Sequence, residues 1–430
     1  FYTTNGNVPT EKATCYDEPF TITKTTIVRA VTISEGKMMS IPITLDYFLN
    51  TEHTLPIISV TTDEANLYDA DSGILASKNL FDRSVECPAN VSFFSDTGSF
   101  STMCGLKLHG AGSRGKLAKK SFKIVFRPMY GTEQLDFPLF EENENVQVDS
   151  FLIRNSQDTS RTCLRDELLS KLAIESSKEL MVQNTRFCVF YLNGEYQGIY
   201  CIKDAFSSGY FSRRYGVSQG SVEVQRGYIT EGTAFQQLLD YAASHDLGED
   251  EAYRYIEARV NLESLIDWSV YEAYAANHDL AVNVRYYRST EYDNNRWHYA
   301  LFDMDYGFDG PATFDYILAN AGHGCLLKNL LKNAEFRELF LKRMAYLLEN
   351  YLTDENVMNS YNTLKEQIRS EVPQNSLRWG LNKDFGWDQH IASLERFLTS
   401  GRTDELKRSI ANAMKISLSE VETYFGKENG

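Results

Sequence analysis

The chain has 430 residues, 43% of them hydrophobic, which is enough apolar material for one large core or two smaller ones. Its formal net charge at pH 7 is −16, so its average surface repels phosphate backbones and anionic lipid headgroups alike. Nucleic acid is therefore not an expected partner, and neither is a membrane surface. No apolar run approaches the roughly 18 residues that a membrane helix needs, so membrane insertion is not expected either.

Residues 1–52 predict a small all-β, sandwich-like module. β-Branched residues form short runs at 1–4, 21–22 and 25–31. A turn at Asn5-Gly6-Asn7 follows the first run. The β-branched residues and the spacing of the turns are typical of a small sandwich of short strands.

The same segment resembles a known module. The stretch 2–6 (Tyr-Thr-Thr-Asn-Gly), Pro9-Thr10 and Tyr16 are similar to the β module found at the C-terminus of chitobiases and hexosaminidases. That module recurs beside other domains in bacterial surface proteins, so the resemblance implies export rather than sugar hydrolysis. Because the sequence starts at Phe1 without Met, inside a patterned segment, we expect that a signal peptide or upstream modules were removed. An extracellular or cell-surface location is expected, with cell-wall or extracellular-complex components as partners through neighbouring modules.

The remainder, 53–430, predicts one larger α+β domain. Up to about residue 205 strand-like runs dominate, interrupted by one strong helix at about 162–175. The rest is helical, except for strand-like segments at 284–288 and 297–302. We therefore expect a β-rich half with one helix, followed by a helical half that holds a hairpin of strands.

A glycine-rich turn between two predicted strands is the first candidate for chemistry. Glycines let backbone N–H groups approach an anion closely, and a lysine on the following strand can reach phosphate oxygens. The match to a kinase loop is loose because G-A-G-S-R-G lacks the G-x-G-x-x-G spacing, and a solvated hairpin with basic flanks is the simpler alternative on this motif alone. The residues concerned are Gly110, Gly112, Ser113 and Arg114 in the turn, with Lys120 and Lys123 after it.

Two acidic clusters follow, each next to a predicted strand. Asp279 and the later Asn283 stand at the end of a helix, and Asp303 and Asp305 directly follow the strand at 297–302. Phosphoryl transfer needs a carboxylate that orients the hydroxyl nucleophile and an amide oxygen that holds a metal ion. Hard oxygen ligands of this kind suit Mg²⁺. A turn with a capping carboxylate is the structural alternative for Asp303 and Asp305.

The order of these features is that of a protein kinase: glycine loop, lysine, acidic helix, Asp with a later Asn, and strand-borne Asp. Two other classes stay open on the residues alone. An acidic metal-dependent hydrolase could be built on Asp303 and Asp305, although no second group of His and Asp ligands supports it. The N-terminal β segment and the 13% aromatic content suggest a non-catalytic surface module that binds carbohydrate or a protein.

Several collinear stretches resemble the CotH kinases, which are atypical protein kinases related to spore-coat protein H. The series spans about residues 55 to 400, so it is specific although each piece is short. The matching stretches are Leu55-Pro56-Ile57-Ile58-Ser59-Val60, Gly105-Leu106-Lys107-Leu108-His109-Gly110, Lys119-Lys120-Ser121-Phe122, Phe151-Leu152-Ile153-Arg154-Asn155-Ser156 with Asp158, Leu164-Arg165-Asp166, residues 191–200, Asn277-His278-Asp279 with Asn283, and Asp303-Met304-Asp305.

The resemblance implies a two-lobed, protein-kinase-like fold, with a β-rich N-lobe at about 53–205 and a helical C-lobe at about 206–430. It implies ATP and a divalent metal, Mg²⁺ or Mn²⁺, as cofactors. The implied reaction is transfer of the γ-phosphoryl group to serine or threonine hydroxyls of a protein substrate. The alternative is a catalytically weak or inactive module that binds carbohydrate or protein at a surface.

The metal and acceptor side of the site follows from the resemblance residue by residue. Asp279 would position the acceptor hydroxyl, and Asn283 would be a metal ligand. Asp303 would be the metal-binding aspartate, with Asp305 close by. The spacing from Asp279 to Asn283 is one residue shorter than in the usual protein-kinase catalytic loop.

The phosphate side carries more alternatives. Lys120 is the first choice for the phosphate-contacting lysine and Lys123 the second, since a shift of one residue in a strand reverses the face that it presents. The acid that pairs with this lysine is Glu167 or Asp166, because only one of them can face it. Asp204 stands where the family pattern leads us to expect a glutamate, so a weak kinase stays open.

Overall fold

The computed structural model describes residues 1–140, 147–156, 162–227, 231–280, 282–310, 314–319, 323–380 and 386–426. The chain folds into two compact units, each assembled from segments that are far apart in sequence. Unit 1 comprises Phe1–Ser156, Thr185–Ala205 and Glu366–Asp384. Unit 2 comprises Gln157–Asn184, Phe206–Lys365 and Phe385–Gly430. Both contain helices and strands, so the predicted α+β class is confirmed.

Three short strands stand at the N-terminus of unit 1: β1 (Tyr2–Thr3), β2 (Thr26–Ala30) and β3 (Ile43–Tyr47). They form one antiparallel sheet in the order β1-β2-β3. The prediction of an all-β segment is confirmed, but the predicted sandwich is not seen, because the described residues of this segment form a single sheet. The predicted strand at 21–22 is also absent. β-Branched residues favour a pleated surface without specifying how many sheets share it.

Seven further strands belong to unit 1: β4 (Ile57–Thr61), β5 (Cys87–Ser95), β6 (Gly98–His109), β7 (Ser121–Val125), β8 (Ser150–Arg154), β9 (Thr185–Leu192) and β10 (Glu195–Asp204). They close into a barrel in the order β10-β8-β7-β6-β5-β4-β9. Only the β4–β9 pair of this barrel is parallel. Closure leaves no long strand edge unpaired, and this removes a site for unwanted association.

The barrel interior follows from the alternation of side chains along each strand. Phe122 and Ile124 of β7 and Phe151 of β8 lie in the buried core of the barrel. Lys123 stands between the two β7 residues and therefore projects from the outer face. Lys123, the second choice for the phosphate-contacting lysine, thus lies on the outer face of the barrel.

Unit 2 contains β11 (Val222–Arg226), β12 (Val284–Ser289) and β13 (His298–Leu301). They pair antiparallel in that order. The two predicted strands of the helical half are present, but the expected hairpin is a three-stranded sheet. β11 is partly exposed along its whole length, so its hydrophobic signal is too weak to predict a strand.

The helices complete both units. None of the described helices combines the length and the apolar composition that a membrane span requires. They are α1 (Glu64–Tyr68), α2 (Ser113–Lys116), α3 (Arg165–Ile174), α4 (Ser208–Tyr215), α5 (Ala234–Ser244), α6 (Asp250–Glu257), α7 (Leu262–Tyr274), α8 (Phe314–Ala319), α9 (His323–Leu330), α10 (Ala334–Asn350), α11 (Asp354–Arg369), α12 (Val372–Trp379), α13 (Trp387–Leu398), α14 (Arg402–Met414) and α15 (Leu418–Glu422). The predicted helix of the β-rich half is α3, and the short helices α1 and α2 were not expected there.

Helix α12 packs against β10 inside unit 1, although the two are distant in sequence. Asn375 Oδ1 accepts hydrogen bonds from the Ile199 N–H and from the Lys119 ammonium, each over 3.1 Å. The Trp379 indole N–H donates to the Gln197 carbonyl over 2.7 Å. Polar groups at this contact are paired, and this lets a late segment of the chain cover the barrel wall.

Gly198 is a point of very close approach between β10 and α12. Its φ is +93°, and a Cβ there would lie 2.2 Å from Asn375 Oδ1. We expect Gly198→Ala to lower the free energy of unfolding by about 3 kcal/mol or more, because backbone strain and overpacking add. Gly131→Ala is the control, since Gly131 has φ +88° and open space at its Cβ position, so only the strain of about 1 to 2 kcal/mol applies. Equal losses in urea unfolding would contradict the close approach.

Candidate active site

Asp279, Asn283 and Asp303 meet in unit 2. The Asn283 amide nitrogen donates to Asp279 Oδ2 over 3.0 Å and lies 3.3 Å from the backbone oxygen of Asp303. Asn283 is buried, whereas both aspartates are partly exposed. The structure thus brings together three residues that two separate sequence motifs predicted.

Helix α7 leads into Asp279 from a firmly capped end. Ala276 closes its last turn with φ +49°, the left-handed conformation common after a helix. The Arg402 guanidinium donates to the Tyr274 carbonyl over 3.1 and 3.0 Å, and the Phe308 N–H donates to the Ala275 carbonyl over 2.5 Å. Carbonyls at a helix end otherwise lack intrahelical partners. These donors therefore fix the point from which the Asp279 loop starts.

Asn277 joins the end of α7 to Asp279. Its backbone N–H donates to the Glu272 carbonyl over 3.1 Å, and its amide nitrogen donates to Glu272 Oε2 over 2.8 Å. Its amide oxygen accepts from the Asp279 N–H over 3.2 Å. The three bonds connect a buried carboxyl group on α7 with the backbone of the candidate catalytic aspartate.

Strand β13 brings Asp303 to the same place. Asp303 has φ +64°, which is uncommon for a residue with a side chain and is typical of functional sites. The Arg285 guanidinium lies over the ring of Phe302, 3.7 Å from its centroid, so a cation stands beside the end of the strand. Asp305 follows Asp303 in the loop and is partly exposed.

The carboxylates of this group influence each other. Burial is the main reason that the pKa of Asp279 is raised, and the charge of Asp303 raises it further. Burial also raises the pKa of Tyr306, and the charges of Asp305 and of the same two aspartates add to the effect. Tyr306 therefore lies within electrostatic reach of all three carboxylates. Sequence reasoning missed it, because a tyrosine after an acidic pair carries no specific signal.

The donor set fits a hard divalent cation. The Asp279 carboxylate and the Asn283 amide meet beside the Asp303 backbone oxygen, and the charge of the Asp303 carboxylate acts on Asp279. Oxygen ligands of this kind suit Mg²⁺ or Mn²⁺. A cation among them would also offset the repulsion through which Asp303 raises the pKa of Asp279. Asn283 through its amide oxygen, Asp303 and Asp305 are the residues that would hold it.

The glycine-rich turn lies between β6 and β7 in unit 1, where the sequence predicts it. Gly110 has φ +105°, a conformation that favours glycine, and the short helix α2 follows. The N–H groups from Arg114 to the end of α2 donate to carbonyls within the turn. Those amides cannot serve a phosphate, so backbone contacts to an anion would fall to Gly110, Gly112 and Ser113.

The charged groups of this turn are engaged locally. Arg114 is buried, and its guanidinium donates to the Leu108 carbonyl over 2.6 Å. The Lys120 ammonium donates to the carbonyl oxygen of Arg114 itself. To reach a phosphate, Lys120 would have to leave this contact.

A row of lysines lies on the outer face of the barrel. Lys123 pairs in register with Lys107 on β6 and with Leu152 on β8, and Leu152 pairs with Lys203 on β10. Residues paired in register point to the same face, so the three lysines belong to one row. Lys203 is only 1% exposed, and burial lowers the pKa of Lys123. The sequence pattern does not single out Lys203, because alternation alone does not reveal which strands are neighbours.

The candidate pairing acids are all buried. Asp166 and Glu167 stand in the first turn of α3, and Asp204 ends β10. The pKa of Glu272 is raised mainly by burial and further by the charge of Asp166, so Asp166 acts on the end of α7 that leads to Asp279. Which acid pairs with which lysine stays a prediction.

A model of the family described as CotH kinase protein matches residues 106–403, more than half of the chain. The chain belongs to the CotH kinase family. The chitobiase/beta-hexosaminidase C-terminal domain matches residues 1–44. A search of curated proteins finds no match. Both resemblances are therefore confirmed, and membership in the CotH kinase family supports a kinase-type activity that uses ATP and a divalent metal.

All the candidate site residues, from Gly110 to Asp305, fall within the part of the chain that the CotH kinase family covers. The roles carried over to them stay predictions. What the structure adds is their grouping: Asp279, Asn283 and Asp303 converge in unit 2, and the glycine turn and the lysine row belong to unit 1.

A second group of possible metal ligands in this CotH family member comprises Glu179, Asp293 and His298. His298 Nε2 lies 2.7 Å from Asp293 Oδ2, and Arg296 Nε and Asn261 Nδ2 donate to the same oxygen over 3.0 and 3.1 Å. These partners already saturate that oxygen, so we interpret the group as a hydrogen-bonded network. Glu179 is far from the other two in sequence, and Asp293 and His298, five residues apart, do not by themselves indicate a ligand group.

Glu272 is a further residue that sequence reasoning missed. It is fully buried, and burial raises its pKa to about 8, with the hydrogen bond from Asn277 opposing the shift. The group is therefore mostly protonated at neutral pH. No sequence signal marks it, because the burial of α7 on nearly all sides, which makes an acid in this helix unusual, is visible only in the structure.

We expect Glu272→Gln to reduce the pH dependence of the free energy of unfolding. The carboxyl ionises near 4.5 in the unfolded chain and near 8 in the folded chain, so the folded state loses stability as pH rises between these values. The loss is up to about 1.4 kcal/mol per pH unit, and glutamine is free of it. Urea unfolding should favour the variant more at about pH 8.5 than at about pH 5. An equal difference at both would contradict the raised pKa.

Proposed function

We propose that the chain is an ATP-dependent protein kinase that transfers the γ-phosphoryl group of ATP to serine or threonine hydroxyls of protein substrates. The observation that carries the proposal is the convergence of Asp279, Asn283 and Asp303 in a member of the CotH kinase family. Phosphoryl transfer leaves little covalent chemistry to the protein, so catalysis rests on positioning and on charge neutralisation. These three residues can supply both.

Asp279 orients the acceptor hydroxyl in this proposal. One of its carboxylate oxygens accepts from Asn283, and the other can accept the hydroxyl proton. A raised pKa makes Asp279 a better proton acceptor than an exposed aspartate. Asn283, Asp303 and Asp305 would hold Mg²⁺ or Mn²⁺, which would neutralise charge on the phosphate oxygens.

Unit 1 supplies the phosphate contacts in this proposal. The barrel unit would correspond to the β-rich lobe and unit 2 to the helical lobe of a two-lobed kinase-like arrangement. Lys120 and Lys123 are the predicted phosphate lysines. The in-register row adds Lys203, whose side chain is buried and therefore held in place more firmly than that of Lys120.

The setting that we propose is outside the cell or at its surface. The match to the chitobiase/beta-hexosaminidase C-terminal domain at residues 1–44 supports it, because that module accompanies other domains in surface proteins. Protein substrates rich in serine or threonine, and cell-wall or extracellular-complex components reached through neighbouring modules, are the partners. The net charge of −16 disfavours nucleic acid and anionic membranes.

A second candidate function is a surface module with weak or no kinase activity that binds carbohydrate or protein. The outward face of the N-terminal sheet favours it, because a cavity of about 700 Å³ lies there. Tyr16, Phe20 and Tyr47 line it and are exposed, together with Ile43 and other aliphatic side chains. Exposed apolar surface of this kind often marks a binding site.

We expect Asp279→Asn and Asp303→Asn each to lower the rate of phosphoryl transfer to a serine-rich peptide by at least about 100-fold. The first removes the proton acceptor, and the second removes a charged metal ligand. The measurement is incorporation of labelled γ-phosphate in the presence of Mg²⁺ or Mn²⁺. Asp240→Asn, an exposed aspartate on α5, is the control and should leave the rate unchanged. An inactive parent protein would refute the kinase proposal and leave the surface module as the better candidate.

A second assay, the KM for ATP, distinguishes Lys120, Lys123 and Lys203 as candidate phosphate contacts. We expect Lys203→Met to raise the KM for ATP more than Lys120→Met does, because the Lys203 side chain is buried and held in place more firmly. Lys123→Met tests the middle of the row. Lys203→Arg keeps the charge and should recover part of the affinity. If Lys120→Met alone weakened ATP binding, the assignment of the phosphate contact to the row would be wrong.

A further inference from the structure

The buried carboxyl of Glu272 has no part in the proposed chemistry, yet hydrogen bonds connect it to the residues that do. Glu272 accepts two hydrogen bonds from Asn277, one at its backbone carbonyl over 3.1 Å and one at Oε2 over 2.8 Å. Asn277 is itself only 1% exposed, so these bonds are shielded from water. Shielded bonds of this kind hold a side chain in one position.

Asn277 passes that constraint on to Asp279. With its nitrogen atoms bonded to Glu272, its remaining polar side-chain atom, Oδ1, accepts from the Asp279 N–H. Asp279 in turn accepts from Asn283, whose amide nitrogen also faces the Asp303 carbonyl. An unbroken chain of hydrogen bonds therefore runs from the interior of α7 to the residues proposed to hold the acceptor and the cation.

We propose that Glu272 is a positioning residue that, through Asn277, fixes the backbone of Asp279 and with it the Asp279–Asn283 pair. The catalytic role of that pair rests on the proposed function, whereas the positioning of Asp279 by Glu272 does not. Glu272 would act without touching substrate, by keeping Asp279 in a fixed geometry. Residues that hydrogen-bond to metal ligands from outside the metal's coordination shell act in the same way.

The charge state of Glu272 supports the role. The groups that face it are Asn277 as a donor, the indole of Trp268, Asp166 and Asp279 as nearby charges, and Tyr286, whose own raised pKa includes a contribution from Glu272. In its protonated form the carboxyl still accepts from Asn277, and it adds no negative charge beside Asp279 and Asp303. Glutamine has the same shape and is neutral, so it should replace glutamate here.

The test compares three variants of the full chain: Glu272→Gln, Glu272→Leu and Tyr271→Phe. Leucine fills the space but cannot accept a hydrogen bond. Tyr271→Phe is the matched control, because Tyr271 is equally buried on α7 and its hydroxyl donates to the Leu172 carbonyl over 3.0 Å, away from Asn277. Asn277→Ala breaks the same link from the other side and replaces Glu272→Leu if that variant does not fold.

The first readout is hydrogen exchange at the Asp279 amide, followed on the peptide that carries Asn277 and Asp279. We expect about tenfold or faster exchange in Glu272→Leu and Asn277→Ala, and parental exchange in Glu272→Gln and Tyr271→Phe. Faster exchange in Tyr271→Phe as well would mean general loosening of α7 and would overturn the proposal. Parental exchange in Glu272→Leu would overturn it too, as would failure of glutamine to restore protection.

The second readout is Mn²⁺ affinity, measured by electron paramagnetic resonance without nucleotide, together with kcat and KM in the peptide assay. Glu272→Leu should bind Mn²⁺ about tenfold more weakly and lose kcat more than KM, with recovery in Glu272→Gln. Parental Mn²⁺ affinity and kcat in Glu272→Leu would refute the positioning role. If the parent transfers no phosphate, the kinase proposal fails, while exchange and Mn²⁺ affinity still decide the role of Glu272.

Discussion

The candidate active site depends on how the carboxyl end of α7 is held. A helix end presents carbonyl groups that need donors, and here the donors come from distant parts of the chain: Arg402 binds the Tyr274 carbonyl, and Phe308 binds that of Ala275. Asn277 then continues the hydrogen bonding beyond the helix. The Asp279 loop therefore starts from a point that several elements of unit 2 fix together, and Asp279 reaches its position without a long flexible arm.

Electrostatics gives the same group its chemical character. Asp279 and Asp303 are close enough that one raises the pKa of the other, after burial, and the amide of Asn283 joins them. Carboxylates in such proximity are unfavourable unless protons, hydrogen-bond donors or cations compensate. Membership in the CotH kinase family favours a divalent cation as the compensating group, since kinases generally use ATP and a divalent metal. Geometry brings the candidate residues together, and family membership supports a kinase-type activity for the chain.

The three residues that the structure brings together each stand in a short motif that the sequence shows. Two short motifs can be recognised from local sequence alone, whatever the tertiary fold: Asp279 with Asn283, and Asp303 after an apolar strand. Glu272 has no such signature, because its importance comes from burial and from Asn277, and both depend on how α7 packs. Lys203 was missed for a similar reason, since its register with Lys123 is a property of the sheet order.

Fold prediction has the same limit. Alternation and helical period identified most strands and the helix α3. They could not show that α12 covers β10, because that contact depends on hydrogen bonds between the side chains of Asn375 and Trp379 and backbone groups far away in sequence. Nor could β-branched runs distinguish the single N-terminal sheet from a sandwich. Local patterns specify elements, whereas their neighbours are set by packing.

The most direct test of the account is the location of the metal. Crystals grown with Mn²⁺ and a non-hydrolysable ATP analogue would show the ion by anomalous scattering. We expect a peak about 2.0 to 2.3 Å from the Asp303 carboxylate and the Asn283 amide oxygen, with a phosphate oxygen of the analogue as a further ligand. A peak confined to Glu179, Asp293 and His298, or nucleotide bound without metal at Asp303, would contradict the account.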